Sequence, residues 1–189
     1  MIRIGILGDI GSGKSFVANK FGYPVFNADN EVSKLYKKNK KIFFQLKKKL
    51  PKYIHSFPVS KEEVSLAILS NKANLKKIIN VVHKEIRKKM NQFLKKNRNK
   101  KIVVLDIPLL LENKINKKGD VLIYVQSKNS EILKRLSKRK NFNKKIFKIF
   151  KNIQLPLDYK RKKSRFIIKN NFTKKTIIKK IDYILDTIS

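Results

Sequence analysis

The run Gly8-Asp9-Ile10-Gly11-Ser12-Gly13-Lys14-Ser15 fits G-x-x-x-x-G-K-S, the phosphate-cradling P-loop, and no other stretch restricts the fold as tightly. Such a loop works only between a strand and a helix, and its flanks suit both roles. The apolar Ile2-Arg3-Ile4-Gly5-Ile6-Leu7 reads as a buried strand, and Phe16-Val17-Ala18-Asn19-Lys20-Phe21 can open a helix. In that setting backbone N–H groups from Gly11 to Phe16 (Gly11, Ser12, Gly13, Lys14, Ser15, Phe16) turn toward an anion. Lys14 would reach the β- and γ-phosphates of ATP, and the Ser15 hydroxyl would ligate Mg2+. The alternative is a glycine-rich turn that holds no ligand.

The rest of the chain alternates strands and helices, the mark of a parallel α/β sheet. Further strands are expected at Tyr23-Pro24-Val25-Phe26-Asn27, at Lys101-Ile102-Val103-Val104-Leu105-Asp106, at Asp120-Val121-Leu122-Ile123-Tyr124-Val125 and at Phe166-Ile167-Ile168. One helical stretch is expected from Asp29 through Leu50, and another over residues 60–97 with a break near Asn71 to Asn74. Ser60, Lys61, Glu62 and Glu63 fit a capping box at the second. Apolar residues at Ile177, Ile178, Ile181, Ile184, Leu185 and Ile188 form the core stripe of a closing helix. The fold class that follows is a P-loop NTPase three-layer α/β sandwich with a central parallel sheet, a helical substrate-binding insertion and a helical lid. Its core would be about 1–28, 100–127 and 164–189, the insertion about 30–98 and the lid about 128–163.

Composition bears on the partners. A net charge of +35, from 48 Lys+Arg against 13 Asp+Glu, invites a nucleic-acid reading. Yet 41 of those cations are Lys and seven are Arg, and they are spread along the chain rather than gathered into a stripe. The 18 Asn and 25 Ile share A/T-rich codons with Lys, so compositional drift accounts for the charge, and no dedicated nucleic-acid partner is expected. With no cysteine, neither a disulfide framework nor a thiolate metal site can form. No run is long enough for a membrane span, and the chain enters its first strand without a signal peptide. A cytoplasmic protein with no membrane partner is the expectation, as a monomer or weak oligomer.

Carboxylates are scarce enough to weigh singly. Asp29 follows the second strand, at the edge of a parallel sheet that faces the ligand crevice. There it could take a proton from an attacking hydroxyl, or it could simply cap the next helix. Asp106 ends the third strand, where a Walker-B-type Asp holds magnesium; its other reading is a strand-end turn former. Glu112 lies six residues on, either supporting that site or on the surface.

Taken in order, these residues resemble the dephospho-coenzyme A kinase family. Ile10-Gly11-Ser12-Gly13-Lys14-Ser15 matches the family's opening loop, Asn27-Ala28-Asp29 its Asp-Ala-Asp, and Asp106-Ile107-Pro108-Leu109-Leu110-Leu111-Glu112 its Asp-x-Pro-Leu-Leu-x-Glu. Lys134-Arg135-Leu136 with Arg139 matches a basic lid helix, followed by Gln154 and by Ile167-Ile168-Lys169-Asn170. The resemblance implies phosphorylation of the ribose 3′-hydroxyl of dephospho-coenzyme A by ATP. Asp29 would be the general base, Lys14, Arg135 and Arg139 would stabilise the transferring phosphoryl group, and His83, Asp106, Pro108 and Leu109 would bind the acceptor. His83 on a helix could equally be structural, the arginines could be a solvated face, and Lys160 is hard to single out among so many lysines.

The chain also departs from that pattern. Asp9 puts an acid inside the loop, harmful to a polyphosphate if it points inward and harmless if outward. Phe16 stands where Thr is usual, Lys84 follows His83 in place of Pro, Asn27 replaces the first Asp of its motif, and Ser164-Arg165 replaces an Ala-Asp pair. Two other readings share the loop: another small-molecule P-loop kinase acting on a nucleoside or nucleotide, and a nucleic-acid-stimulated NTPase.

Overall fold

The computed structural model describes residues 1–138 and 142–188. Among the described residues five strands form one sheet: β1 (Ile2–Gly8), β2 (Val25–Asn27), β3 (Ile102–Asp106), β4 (Val121–Gln126) and β5 (Phe166–Lys169). Their order is β2-β3-β1-β4-β5 and every pairing is parallel. β1 therefore lies at the centre, with β3 on one side and β4 on the other. The chain winds away from it in both directions, and the crevice outside its carboxyl end is the natural ligand position.

The helices are α1 (Lys14–Lys20), α2 (Ala28–Lys38), α3 (Lys40–Lys49), α4 (Lys61–Ser70), α5 (Lys72–Lys96), α6 (Asn129–Ser137), α7 (Lys144–Asn152), α8 (Leu157–Lys163) and α9 (Lys174–Ile188). Alternation along β1 sorts the layers. Ile4 and Ile6 join Ile102, Val104, Ile123, Val125 and Ile168 in a core closed by Val17, Ala18 and Phe21 of α1 and by Ile177, Ile181 and Ile184 of α9. On the opposite face Gly5 leaves room for Leu110, whose Cδ2 lies 2.6 Å from where a glycine-to-alanine Cβ would stand. α8 also packs on that face, against β1 and β4. Helix, sheet and helix make the expected three-layer sandwich.

Two compact units share the chain. The sheet unit comprises residues 1–27, 97–142 and 153–189; the helical unit comprises residues 28–96 and 143–152. In the helical unit α5 packs against α2, α3 and α4, and α7 packs against α4.

Local chemistry sets the element ends, and three expectations need correction. The helix expected over 29–50 is two helices, because Asn39 is extended (φ −103°, ψ 95°) and its Oδ1 caps α3 by accepting the Ile42 N–H at 3.1 Å. β2 starts at Val25, not Tyr23: Pro24 has no N–H to give a ladder, although its carbonyl accepts the Val104 N–H at 2.9 Å. The Ser60 hydroxyl caps α4 by accepting the Glu63 N–H at 3.0 Å, but Glu63 Oε1 turns back to the N–H groups of His55 and Ser56, both at 3.0 Å. The expected break falls at Asn71, between α4 and α5.

The sheet core sets the stability scale. Ile123 is 0% exposed in the central layer. Ile123→Ala should cost about 2–5 kcal/mol, lowering the melting temperature by roughly 5–15 °C in a chain of this size, as read by thermal circular dichroism.

Candidate active site

The loop after β1 reverses the chain between Gly8 and Lys14, which needs left-handed backbone at Gly11 (φ 85°) and Gly13 (φ 89°). Gly13 has a second requirement: the Asn170 amide lies where its Cβ would be. The Lys14 ammonium folds back over the loop, donating to the carbonyls of Asp9 (2.7 Å) and Gly8 (3.2 Å). Polar ties from two other strand ends hold the loop down. Asn170, just past β5, donates from Nδ2 to the Ser12 carbonyl at 2.8 Å, and the Ser127 hydroxyl, just past β4, reaches the same oxygen at 2.9 Å. The Ser127 hydroxyl also lies 3.1 Å from the Asn170 carbonyl. Ser12 itself is buried, and its own Oγ has no hydrogen-bond partner among the described residues.

Asp9 is buried: it is 4% exposed and its Oδ1 accepts the Ile10 N–H at 2.7 Å. Its charge is felt on β4, where the Tyr124 phenol is pushed up by burial first and then by Asp9 and Asp158, with Arg161 opposing. Asp158 and Arg161 both belong to α8, so that helix brings charged groups to the same end of the sheet as the loop. Nothing in the sequence marks Arg161 or Tyr124 for this place.

Three of the sequence candidates or their neighbours converge at the carboxyl ends of the strands. The Asn27 amide donates to Asp106 Oδ2 and to Ser15 Oγ, the latter at 3.4 Å. A hydroxyl on the first turn of α1 and a buried carboxylate at the end of β3 thus share one donor. Such a pair of hard oxygen donors suits magnesium, which keeps several waters and takes few protein ligands. Asn27 stands where an Asp would add a second carboxylate; its amide instead fixes the rotamer of Asp106.

Asp29 is exposed in the first turn of α2, which begins at Ala28, so it lies inside the helix rather than at its cap. Pro108 and Leu109 are half-buried in the turn after β3, and Phe16 is exposed on α1 with the Lys20 ammonium 5.4 Å from its ring. His83 lies on α5 in the helical unit; its Nε2 is buried and makes no hydrogen bond among the described residues. Burial first, and Arg87 one turn on, hold its pKa below the usual histidine value. Arg135 is on the last turn of α6, with its guanidinium carbon 4.0 Å from the centroid of the Phe172 ring. Arg139 lies outside the described residues.

The residue most hidden from the sequence is Lys160. It is 1% exposed, and its ammonium lies 2.7 Å from Glu112 Oε1 and 3.1 Å from Gln154 Oε1. Glu112, 10% exposed, also accepts the Leu155 N–H at 2.9 Å. The turn that begins at Asp106 is thereby bolted to α8 and to the chain leading into it. Glu112 is a largely covered tie, not a surface acid, and among the described lysines Lys160 is the buried one.

A central P-loop with its lysine, a serine on the first turn of α1 near an aspartate at the end of β3, and a parallel sheet in this order define a P-loop kinase. Comparison with known proteins sharpens that class. The family model for dephospho-CoA kinase matches residues 2–175. The chain is 34% identical to a dephospho-CoA kinase from Wolbachia sp. subsp. Brugia malayi, covering 98% of this chain and 97% of that protein. It is 33% identical to one from Bartonella quintana over 87% of each chain. Among solved structures, a Thermus thermophilus protein superposes with a TM-score of 0.80 at 26% identity, covering 100% of this chain and 98% of that one. The dephospho-CoA kinase of Campylobacter jejuni shares the fold, with a TM-score of 0.63 at 22% identity over 99% and 97% of the two chains. The chain belongs to the dephospho-CoA kinase family, the kinases of the last step of coenzyme A synthesis.

Two tests follow from the geometry. Lys160→Met strands the Glu112 carboxylate and should cost about 3–5 kcal/mol in urea unfolding, while adding Glu112→Gln should recover most of that loss. Because His83 is held below its unfolded pKa, the unfolded chain binds the extra proton first. Its contribution to stability is present above about pH 6.5 and is lost as pH falls. His83→Gln should therefore flatten the acid side of the stability profile between about pH 7 and 5.

Proposed function

We propose that this chain transfers the γ-phosphoryl group of ATP to the ribose 3′-hydroxyl of dephospho-coenzyme A, giving coenzyme A and ADP. The observation that carries the proposal is the convergence of Ser15, Asn27 and Asp106 beside the P-loop. Asp29 follows Asn27 by two residues along the chain. As general base it takes the proton of the 3′-hydroxyl while that oxygen attacks the γ-phosphorus, and the β–γ bridging oxygen leaves with ADP. Lys14, already over the loop, reaches the β- and γ-phosphates. Gly11, Ser12, Gly13 and Phe16 line the nucleotide side. Ser15 and Asp106 would hold Mg2+, which offsets the charge of the β- and γ-phosphates. Arg135, with Arg139, supplies positive charge over the transferring group as part of a lid spanning about 128–163. His83, Pro108 and Leu109 serve the acceptor, in a substrate-binding insertion spanning about 30–98.

Asp9 limits the loop. Its carboxylate is a negative charge within the loop itself, where it accepts the Ile10 N–H, so nucleotide affinity should be modest. The enzyme acts in the cytoplasm as a monomer or weak oligomer, with no nucleic-acid or membrane partner. No described helix is long and apolar enough to cross a membrane.

A coupled assay of ADP release on purified protein tests the reading. Transfer to dephospho-coenzyme A, with little to nucleoside monophosphates and no stimulation by RNA or DNA, is the expected result. Asp29→Asn should lower kcat by roughly 10²–10⁴, and Lys14→Ala should remove most activity. No transfer by the intact protein would sink the proposal; full activity in Asp29→Asn would remove only the base.

A further inference from the structure

Phe172 occupies a backbone conformation that a bulky residue seldom takes. Its φ is 64°, in the left-handed region where glycine sits without strain. The turn holds it there deliberately. Its N–H donates to Asn170 Oδ1 at 2.8 Å, while the other end of the same amide donates to the Ser12 carbonyl. One asparagine thus locks the Phe172 backbone to the P-loop. The ring is correspondingly close to the loop, with Cε1 3.2 Å from where a Cβ on Gly13 would be. On the ring's other neighbour side, α6 delivers Arg135, its guanidinium carbon 4.0 Å from the centroid.

We propose that Phe172 is the positioning residue for Arg135: its ring takes the face of the guanidinium and so holds that cation beside Gly13. The chemistry favours this division of labour. A guanidinium is planar, and stacking on an aromatic face uses the plane while its N–H donors point outward along the edge. Those edge donors are the ones that make fork-like hydrogen bonds to phosphoryl oxygens. Arg135 is exposed and rich in rotamers, so without a platform it would have to be ordered anew in each catalytic cycle. The flat ring also accounts for an aromatic residue at a backbone position that glycine would occupy at lower cost. This inference rests on the reading of Arg135 as the cation over the transferring phosphoryl group.

The test is a double-mutant cycle on the full chain, with ATP and dephospho-coenzyme A as substrates and thermal melts in parallel. Phe172→Gly relieves the left-handed backbone, so its melting temperature should hold or rise. Its kcat should fall about three- to fivefold, the size expected for one exposed cation–ring contact. Phe172→Tyr, which keeps the ring, should restore kcat. In an Arg135→Ala background Phe172→Gly should change kcat no further, a result that a merely structural ring would not give. Wild-type kcat in Phe172→Gly beside a clear Arg135→Ala defect overturns the positioning role and leaves the reading of Arg135 intact. A raised KM for ATP at unchanged kcat also overturns it, since the ring would then serve the nucleotide itself. If Arg135→Ala is fully active, the reading of Arg135 fails and the positioning role falls with it.

Discussion

One carbonyl oxygen, that of Ser12, organises the functional end of this protein. It accepts from the Asn170 amide past β5 and lies within reach of the Ser127 hydroxyl past β4. A P-loop is a set of N–H groups aimed at an anion, and it keeps that aim only if its carbonyls are satisfied elsewhere. Two strand ends supply those partners here. The same asparagine presses against Gly13 and fixes the turn that carries Phe172, so a change at position 170 would disturb loop, turn and arginine together.

The second organising element is the turn after β3. Leu110 enters the space that Gly5 leaves on the central strand, and Glu112 ties the turn to Lys160 of α8. Asp106 closes β3 within the sheet, and the turn that follows it is anchored six residues on by the Glu112–Lys160 ion pair. Its carboxylate is buried and accepts the Asn27 amide through Oδ2, which restrains its orientation. A carboxylate fixed before substrate arrives needs no reorganisation during phosphoryl transfer.

Much of this was legible from the residues, because buried parallel strands and an amphipathic closing helix announce themselves through periodicity. The P-loop was legible because its spacing and flanks agree. What escaped has identifiable physical causes. Asn39 ends one helix and caps the next with a side-chain bond to Ile42, a signal of one residue inside a continuous helical pattern. The burial of Lys160 escaped because its neighbours in sequence are lysines too, and only the fold brings Glu112 and Gln154 to it. Phe172 escaped for a third reason: aromatic residues carry no local mark of left-handed backbone, so its platform geometry depends wholly on Asn170 and on α6.

The Lys160–Glu112 pair has a consequence for how such a sequence can change over time. Most of the other described lysines face water, and exchanging one on that surface for another polar residue moves little. At Lys160 and Glu112 a single exchange leaves an uncompensated charge in the interior, so the two positions are free to vary only as a couple. Among the described lysines, most stand on an interchangeable surface, whereas the P-loop's Lys14 answers to the loop and Lys160 to a glutamate 48 positions earlier.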